Sequence, residues 1–508
     1  YGGECGGDWF GFCLRLAEAG YFNRVCAAVR LRMPVGWRDY RPPAGNVPAA
    51  TTDPFYNPHF RADPADYSLG PGASRAEPGF MWHLDSPPPA TAETGGVRIR
   101  GWCFRPDGRP VIVTAKTNGM RWFAPCEQSR PDVKAAFPGL AGVRCGFSIL
   151  LRLPSGIHGL TLAAESPGTA PQELLRQSVR VPRLAALRRL MSSDRSQLVA
   201  FQLNAGPLHP PCRLSVAKFP PRPMAAGPRF SIVTPSLQDG RWLEETMLGV
   251  LNQPGVAGEY VVQDGGSTDG SVAVIERMAE ISAAKAIGGR AGPNSSAIRL
   301  AAWESAPDGG QAAAIARGFA KTTGASGDLM AWINSDDFYL PGALRFVAGW
   351  FAGHPDVDVL YSHRLMVDEN SMEIGRWFLP PQDPAILRLN DFVPQETLFW
   401  RRRIWDKVGG LDPTFRFAMD WDLLLRFQAA GARIVRVPYF LACFRIHPRQ
   451  KTAAEIDTIG RKEIEALRTR ANGHPISPVD LESDGRLHGY LRRSAWIELW
   501  WKLGIRAP

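Results

Sequence analysis

Between residues 229 and 453 the hydrophobic positions change period in a regular rhythm. Continuous apolar runs such as "FSIVTPS" and "DLMAWINSDD" read as buried strands. "RWLEETMLGVLNQ", with apolar residues at 243, 247, 248 and 251, reads as an amphipathic helix. "EYVVQDGGSTDG" is a strand ending in a Gly/Ser/Asp loop, "SVAVIERMAEI" and "GGQAAAIARGFAKT" are helices, and "DVDVLYSH" is a further strand. Such alternation predicts an α/β fold with a mostly parallel sheet and helices on both faces. Sheets of this kind bind ligands beyond the carboxyl ends of their strands. Those ends carry Thr234-Pro235-Ser236, Asp264 and the Asp336-Asp337 pair, so one site is expected there.

The remainder has a different texture. Over 92–183, short β-rich runs ("GVRIRGWCF", "RPVIVTAKT", "GFSILLRL", "HGLTLAAE") are punctuated by "PDG", "PSG" and "SPG", a spacing that predicts a β-sandwich. Residues 1–33 read as a short helical segment and 34–91 as a Pro/Gly/Ala-rich linker. Residues 184–228 form a second linker, helical and then Pro-rich, and 454–508 a helical tail. The tail sets Trp496, Trp500 and Trp501 beside Arg492, Arg493, Lys502 and Arg506. That pattern suits either peripheral contact with a membrane interface or packing of the tryptophans on the α/β domain, and packing is the favoured reading.

Composition narrows the class. A chain of 508 residues, 45% apolar and 21% charged, is an ordinary globular protein too long for a single core. No run is long enough to span a bilayer and no secretory signal is visible, so a cytoplasmic location, at most peripheral to the inner face of a membrane, is expected. The eight cysteines show no C-x-x-C pairing, which favours reduced thiols over a disulfide scaffold or zinc site. A net charge of +10 suits phosphate-bearing partners. Nucleic acid is not among them, because the basic residues are dispersed and no C2H2, RNP-type or Lys/Arg-rich block occurs.

Adjacent carboxylates at a strand tip repel each other unless a cation is present. Mg2+ and Mn2+ take oxygen ligands and pair carboxylates with substrate phosphates. Asp336 is therefore the expected metal ligand, with Asp337 as second ligand or supporter; the alternative is an N-cap of the following helix. "QDGGSTDGS" lacks a Walker lysine, and the Rossmann glycine pattern is absent. Asp264 at its head suits a nucleobase or ribose better than a phosphate, while Ser267 and Asp269 fit a turn and helix cap.

In chain order, "FSIVTPSLQDGRWLEETMLGVLNQ", "YVVQDGGSTDGS", "PDGGQAAAIARGF", "AWINSDDFYLPGAL", "PQETLFWRRRIWDKVGGLD", "FAMDWDLLLR" and "FRIHPRQKT" resemble successive motifs of the family 2 inverting glycosyltransferases, covering about 229–452. The resemblance implies a GT-A type fold, a nucleoside-diphosphate sugar donor (UDP preferred), a saccharide or lipid-linked acceptor, and a divalent metal, Mn2+ or Mg2+. It also implies single-displacement chemistry in bacterial surface polysaccharide synthesis. It assigns the general base to Asp420 and the metal to Asp336, with Asp337 and His447. It assigns nucleotide-sugar contacts to Thr234, Pro235, Ser236, Asp264, Gly265, Asp308, Gln311, Asn334, Ser335, Gln395 and Lys451.

Alternatives stand beside several of these. Asp422 would project elsewhere on a helix, as an N-cap or a partner of Arg426, so Asp420 is preferred as base. His447 suits a metal ligand or diphosphate contact, or a surface loop; Arg445 and Lys451 suit diphosphate oxygens or solvent. Asn334 stands where many members of the family carry the first Asp of D-x-D, Ala316 where Asn is common, and Ala306 where Glu often precedes Pro-Asp. Asn334 also motivates the rival reading, a non-catalytic glycan- or nucleotide-binding protein. A nucleotidyltransferase would need a basic glycine loop at the first strand, which "TPSLQDGRW" does not supply.

Overall fold

The computed structural model describes residues 79–185, 206–214, 227–288, 297–324, 328–450 and 459–502, apart from 94, 138, 139, 141 and 184. The N-terminal helical segment, most of both expected linkers and Lys451 lie outside the described residues.

Strand propensity and period-2 burial build the first region. Eight strands run in order: β1 (Met81–Ser86), β2 (Gly96–Phe104), β3 (Ile112–Thr117), β4 (Met120–Pro125), β5 (Gln128–Ser129), β6 (Arg144–Arg152), β7 (Gly156–Glu165) and β8 (Gln172–Val181). They pair antiparallel into two four-stranded sheets, β1-β2-β6-β5 and β4-β3-β7-β8. Alternate residues of both sheets, among them Val97, Ile99, Ile149 and Leu151 on one and Val113, Trp122, Leu160 and Leu162 on the other, meet in one buried cluster. Cys103, Cys126 and Cys145 lie buried in this region without disulfides.

The second region is α/β. Its strands are β9 (Phe230–Ser236), β10 (Gly258–Asp264), β11 (Ile298–Ser305), β12 (Leu329–Trp332), β13 (Phe338–Tyr339), β14 (Val359–Val367), β15 (Glu373–Trp377), β16 (Phe399–Arg401) and β17 (Ile434–Arg445). They form one sheet in the order β11-β10-β9-β12-β16-β14-β17-β13, with β15 on β14. The sheet is mixed rather than mostly parallel. β11, β10, β9 and β12 are parallel, as are β14 and β17, whereas β16 runs antiparallel to both its neighbours and β13 and β15 are antiparallel to theirs. Crossover helices join the parallel strands of the first half; in the second half β14 returns directly to β15, while the links from β15 to β16 and from β16 to β17 each carry helices.

Apart from α1 (Pro131–Ala136) in the first region and the short α10 (Pro478–Ser483), the helices cover both faces of this sheet. On one side α2 (Gly240–Leu251), α3 (Ser271–Gly288) and α5 (Ala343–Gly353) pack on Ile232, Tyr260, Val262 and Ala331. On the other, α4 (Gln311–Ala320), α6 (Pro384–Leu389), α7 (Arg402–Val408), α8 (Met419–Ala429), α9 (Arg461–Asn472) and α11 (Gly485–Lys502) pack on Val233, Val261 and Trp332. Adjacent strand residues thus point to opposite cores, which is why these strands read as unbroken apolar runs. α4 approaches β9 closely: a Cβ on Gly318 would lie 2.4 Å from a Val233 methyl.

The two regions belong to one compact unit. Arg152 Nη2 donates to Glu498 Oε2 at 2.8 Å, and Arg121 Nη1 to Glu369 Oε2 at 3.5 Å. Helix α11 is docked. Leu487, Tyr490 and Leu491 are buried, and Trp501 packs against Phe378 with ring centroids 5.5 Å apart. Trp496, Trp500 and Trp501 all stay partly exposed, with exposed Arg492 and Arg493 nearby. Among the described residues no helix is long and apolar enough to cross a membrane.

Candidate functional site

Two cavities open where the strand tips converge. The first, about 560 Å³, is lined by Pro235, Ser236, Asp239, Asp308, Gln311, Asn334, Ser335, Asp336, His447 and Arg449, among others. The second, about 410 Å³, is lined by Asp337, Arg364, Asp391, Gln395, Glu396 and Asp420, among others. Gln311, Asn334 and Phe444 line both, and Gln311 Nε2 donates to Asn334 Oδ1 at 2.8 Å across the junction.

Each tip is fixed by its element. β9 delivers Ser236, whose buried hydroxyl has no hydrogen-bond partner among the described residues. Thr234 faces the core instead and accepts a hydrogen bond from Tyr260 Oη at 2.9 Å. β10 ends at Asp264, fully buried, whose carboxylate accepts from Gly266 N–H, Ser267 N–H and Oγ, and Ser305 Oγ. Four such bonds hold the glycine loop together. Thr234, Asp264 and Gly265 accordingly do not line either cavity, and neither does any other residue of the loop 264–270. Asp269 takes the turn-and-cap role, accepting from Ser271 and from Gly240 N–H. Asp308 accepts from Gly310 N–H at 2.8 Å ahead of α4, where Gly309 and Gly310 adopt positive φ that a side chain would strain.

Beyond β12 the chain turns, and the adjacent aspartates part company. Asp336 faces the first cavity, where its Oδ2 lies 2.9 Å from His447 Nε2. Asp337, 1% exposed, turns toward the second and accepts from Arg445 N–H at 2.9 Å. Burial, then the charges of Asp336 and Glu396, push the Asp337 carboxyl well above the usual carboxylate range. Asp337 is therefore separated from the metal position expected of it, and because α5 begins only at Ala343, neither aspartate caps it.

Two further expectations are corrected. His447 is not a surface-loop residue: it is 2% exposed, packed on Trp242 with centroids 4.2 Å apart, and its Nδ1 has no partner among the described residues. Arg445 neither meets solvent nor faces the cavity. Its guanidinium is buried and donates to the carbonyls of Asp336 and Asp368, to Ser371 Oγ and to Glu245 Oε2. Lys451 lies outside the described residues.

In the second cavity α8 presents Asp420 in its first turn, with Oδ1 accepting from Trp421 N–H at 2.9 Å. Asp422 points away and is paired with Arg426, 2.7 Å, and with Arg470. Gln395 Nε2 donates to Trp332 O at 2.9 Å, and its Oε1 has no partner among the described residues.

Sequence reasoning passed over several residues. Asp239, in the "LQDG" that follows the first strand, accepts from Ser335 Oγ at 2.6 Å; burial is the main reason its carboxyl sits above its ordinary range. Asp391, four residues before Gln395, is pushed well above its ordinary range by burial and next by the charge of Asp420. Arg364 and Glu396 form a bidentate pair, both bonds 2.8 Å, in the wall of the second cavity. Asp239 was legible as one more polar strand tip; the others follow only from long-range packing.

A carboxylate oxygen and an imidazole nitrogen 2.9 Å apart match neighbouring vertices of an octahedron with bonds of about 2.1 Å. Asp336 and His447 thus fit two adjacent ligands of a divalent cation. They are not a complete cage, since no third carboxylate, thiol or imidazole of the described residues joins them.

Comparison with known proteins gives a class. Residues 231–409 match the model of the family described as Glycosyl transferase family 2, a match that ends before Asp420 and His447. The O-antigen biosynthesis protein RfbC of Myxococcus xanthus is 27% identical over 374 residues, which are 70% of this chain and 28% of that protein. An uncharacterized glycosyltransferase of Mycobacterium tuberculosis, Rv1514c, is 28% identical over 47% of this chain and 78% of its own length. The chain therefore spans little more than a quarter of the first relative. Among solved structures, a mannosyltransferase of Pyrobaculum calidifontis in complex with GDP-Man and Mn2+ is 16% identical, with 64% of this chain and 88% of that one aligned and a TM-score of 0.37.

Proposed function

We propose that the protein is an inverting glycosyltransferase of GT-A type that moves a sugar from a nucleoside-diphosphate donor, UDP preferred, to a saccharide or lipid-linked acceptor in surface polysaccharide synthesis. The observation that carries this reading is the pair of cavities meeting at Gln311 and Asn334, with Asp336 and His447 in one and Asp420 in the other. The family 2 match supports it.

The donor occupies the first cavity, its diphosphate at Asp336 and His447, with Arg449 lining the same cavity. A divalent cation held there would neutralise charge developing on the leaving diphosphate. Ser236 Oγ and His447 Nδ1, both buried without partners among the described residues, are the polar atoms left for donor contacts. The transferred sugar lies at the Gln311–Asn334 junction. The acceptor enters the second cavity, where Asp420 takes the proton from its hydroxyl as that oxygen attacks the anomeric carbon. Burial, then the charge of Asp420, raises the Asp391 carboxyl beside it. Gln395 Oε1 accepts from an acceptor or sugar hydroxyl. The two antiparallel sheets over residues 79–183 are read as an accessory β-sandwich that packs on this domain.

A panel of nucleotide sugars, assayed for turnover with Mn2+ and with EDTA, tests the proposal. Turnover of at least one donor that EDTA abolishes is expected. Binding without transfer or hydrolysis would favour the non-catalytic alternative, and no binding of any donor would overturn the reading.

A further inference from the structure

Away from both cavities, His209, Cys212 and Glu373 bring an imidazole nitrogen, a sulfur and a carboxylate oxygen within 4.8 Å of one another. Among the described residues no other group of three or more His, Cys, Asp or Glu does so. The backbone registers them. Cys212 and Glu373 exchange hydrogen bonds, Cys212 N–H to Glu373 O at 2.9 Å and Glu373 N–H to Cys212 O at 2.8 Å, and Leu208 N–H donates to Ile374 O at 2.7 Å. Segment 206–214 thus lies along β15, which sets the three side chains together.

The histidine decides what they do. His209 Nδ1 stands 2.9 Å from the carbonyl oxygen of Pro210, which only accepts, so Nδ1 carries a proton. Nε2, 3.4 Å from Glu373 Oε1, then presents either a second proton or a lone pair to that oxygen. A lone pair facing a carboxylate is repulsive unless a cation lies between them. Donor atoms on neighbouring corners of a tetrahedron with bonds of about 2.1 Å stand about 3.4 Å apart. An imidazole whose other nitrogen is held by a backbone carbonyl is also the usual arrangement of a metal-bound histidine.

We propose that His209, Cys212 and Glu373 bind a zinc ion that pins segment 206–214 to β15. Nitrogen, thiolate and carboxylate donors suit zinc, whereas the hard cations of phosphate chemistry avoid sulfur. Glu373 Oε1 is already ion-paired with Arg376 Nε at 2.7 Å, but a carboxylate has about four lone-pair positions, so this does not close the group to a metal. Cys212 is exposed, so an ion can reach the site, and binding releases the thiol proton to solvent. The tetrahedron keeps its fourth position for water.

The inference does not depend on the transferase reading, and its test is separate. Full-length protein stripped with a chelator is titrated with Co2+. One equivalent should give visible bands of tetrahedral Co2+ and a near-ultraviolet thiolate-to-metal absorption, both removed by one equivalent of Zn2+. The Asp336 and His447 pair has no sulfur and yields no thiolate band. Cys212→Ala should abolish the thiolate absorption with an unchanged circular dichroism spectrum, and His209→Ala should weaken Co2+ binding at least tenfold. A folded protein with no thiolate band, leaving only an imidazolium–carboxylate pair, overturns the site, as does a band that survives Cys212→Ala.

Discussion

The separation of Asp336 from Asp337 shows how far one peptide unit changes the chemistry available to identical side chains. Asp336 borders the first cavity beside an imidazole, while Asp337 is buried under Arg445 N–H, where burial raises its carboxyl well above the usual range. Asp420→Asn should lower transfer by about 10²–10⁴-fold while leaving donor affinity within a factor of two, as single-turnover and equilibrium-binding measurements would show. Survival of transfer would move the base elsewhere. His363 makes a second prediction at this scale. Burial, with help from Arg436, lowers its pKa to about 3, and Nδ1 accepts from Leu379 N–H at 3.0 Å. The unfolded chain takes up a proton below about pH 6.5 and the folded one does not, so this residue's stability contribution is present above pH 6.5 and is lost as pH falls toward 3. It should amount to about 2 kcal/mol between pH 7 and pH 5. Asp337 and Asp391, with raised values, act in the opposite direction, so the effect is read as the difference in urea-unfolding free energy between wild type and His363→Asn. Asp336 was legible as a strand-tip carboxylate and Asp422 as a helix residue directed elsewhere, whereas Asp420 was reached through the family resemblance. The burial of His447 and Arg445 was not, since it comes from Trp242 and Glu245 on α2, some two hundred residues earlier.

Elements carry their information differently. The parallel half of the sheet was legible because β9, β10 and β12 are buried on both faces and helices follow at crossover length. The antiparallel β16 was not, because three residues between a one-turn 3-10 helix and α7 give no periodicity to read. Contacts between elements also set the tolerances. Gly318 lets α4 lie on Val233, and α4 carries Gln311 to the junction of the cavities. Gly318→Val should therefore destabilise the protein by about 1–3 kcal/mol in thermal or urea unfolding, and reduce turnover in the fraction that folds, by displacing α4. Equal stability to wild type would show that α4 can shift at no cost.

For the whole molecule, the site is assembled from both ends of the α/β region, which is why a family match ending at 409 omits Asp420 and His447. A ligand that needs all of these parts should stabilise the entire unit. At 100 times its dissociation constant, a nucleoside diphosphate with Mn2+ should add about 2.7 kcal/mol, seen as a raised thermal midpoint. Asp336→Asn should lose most of that gain while retaining the midpoint of the unliganded protein; an undiminished gain would remove Asp336 from the metal.

The partition at Gln311 and Asn334 bears on inheritance as well as on chemistry. Loops after β9 and β12 wall one chamber, and residues 390–396 and 417–421 supply much of the other. On the proposed reading, drift in the second set of segments would exchange one recipient for another while the payload stays the same. A lineage using this scaffold would then diversify its glycans one wall at a time, and chimeras that swap only 390–396 and 417–421 between paralogues are the natural place to look for that.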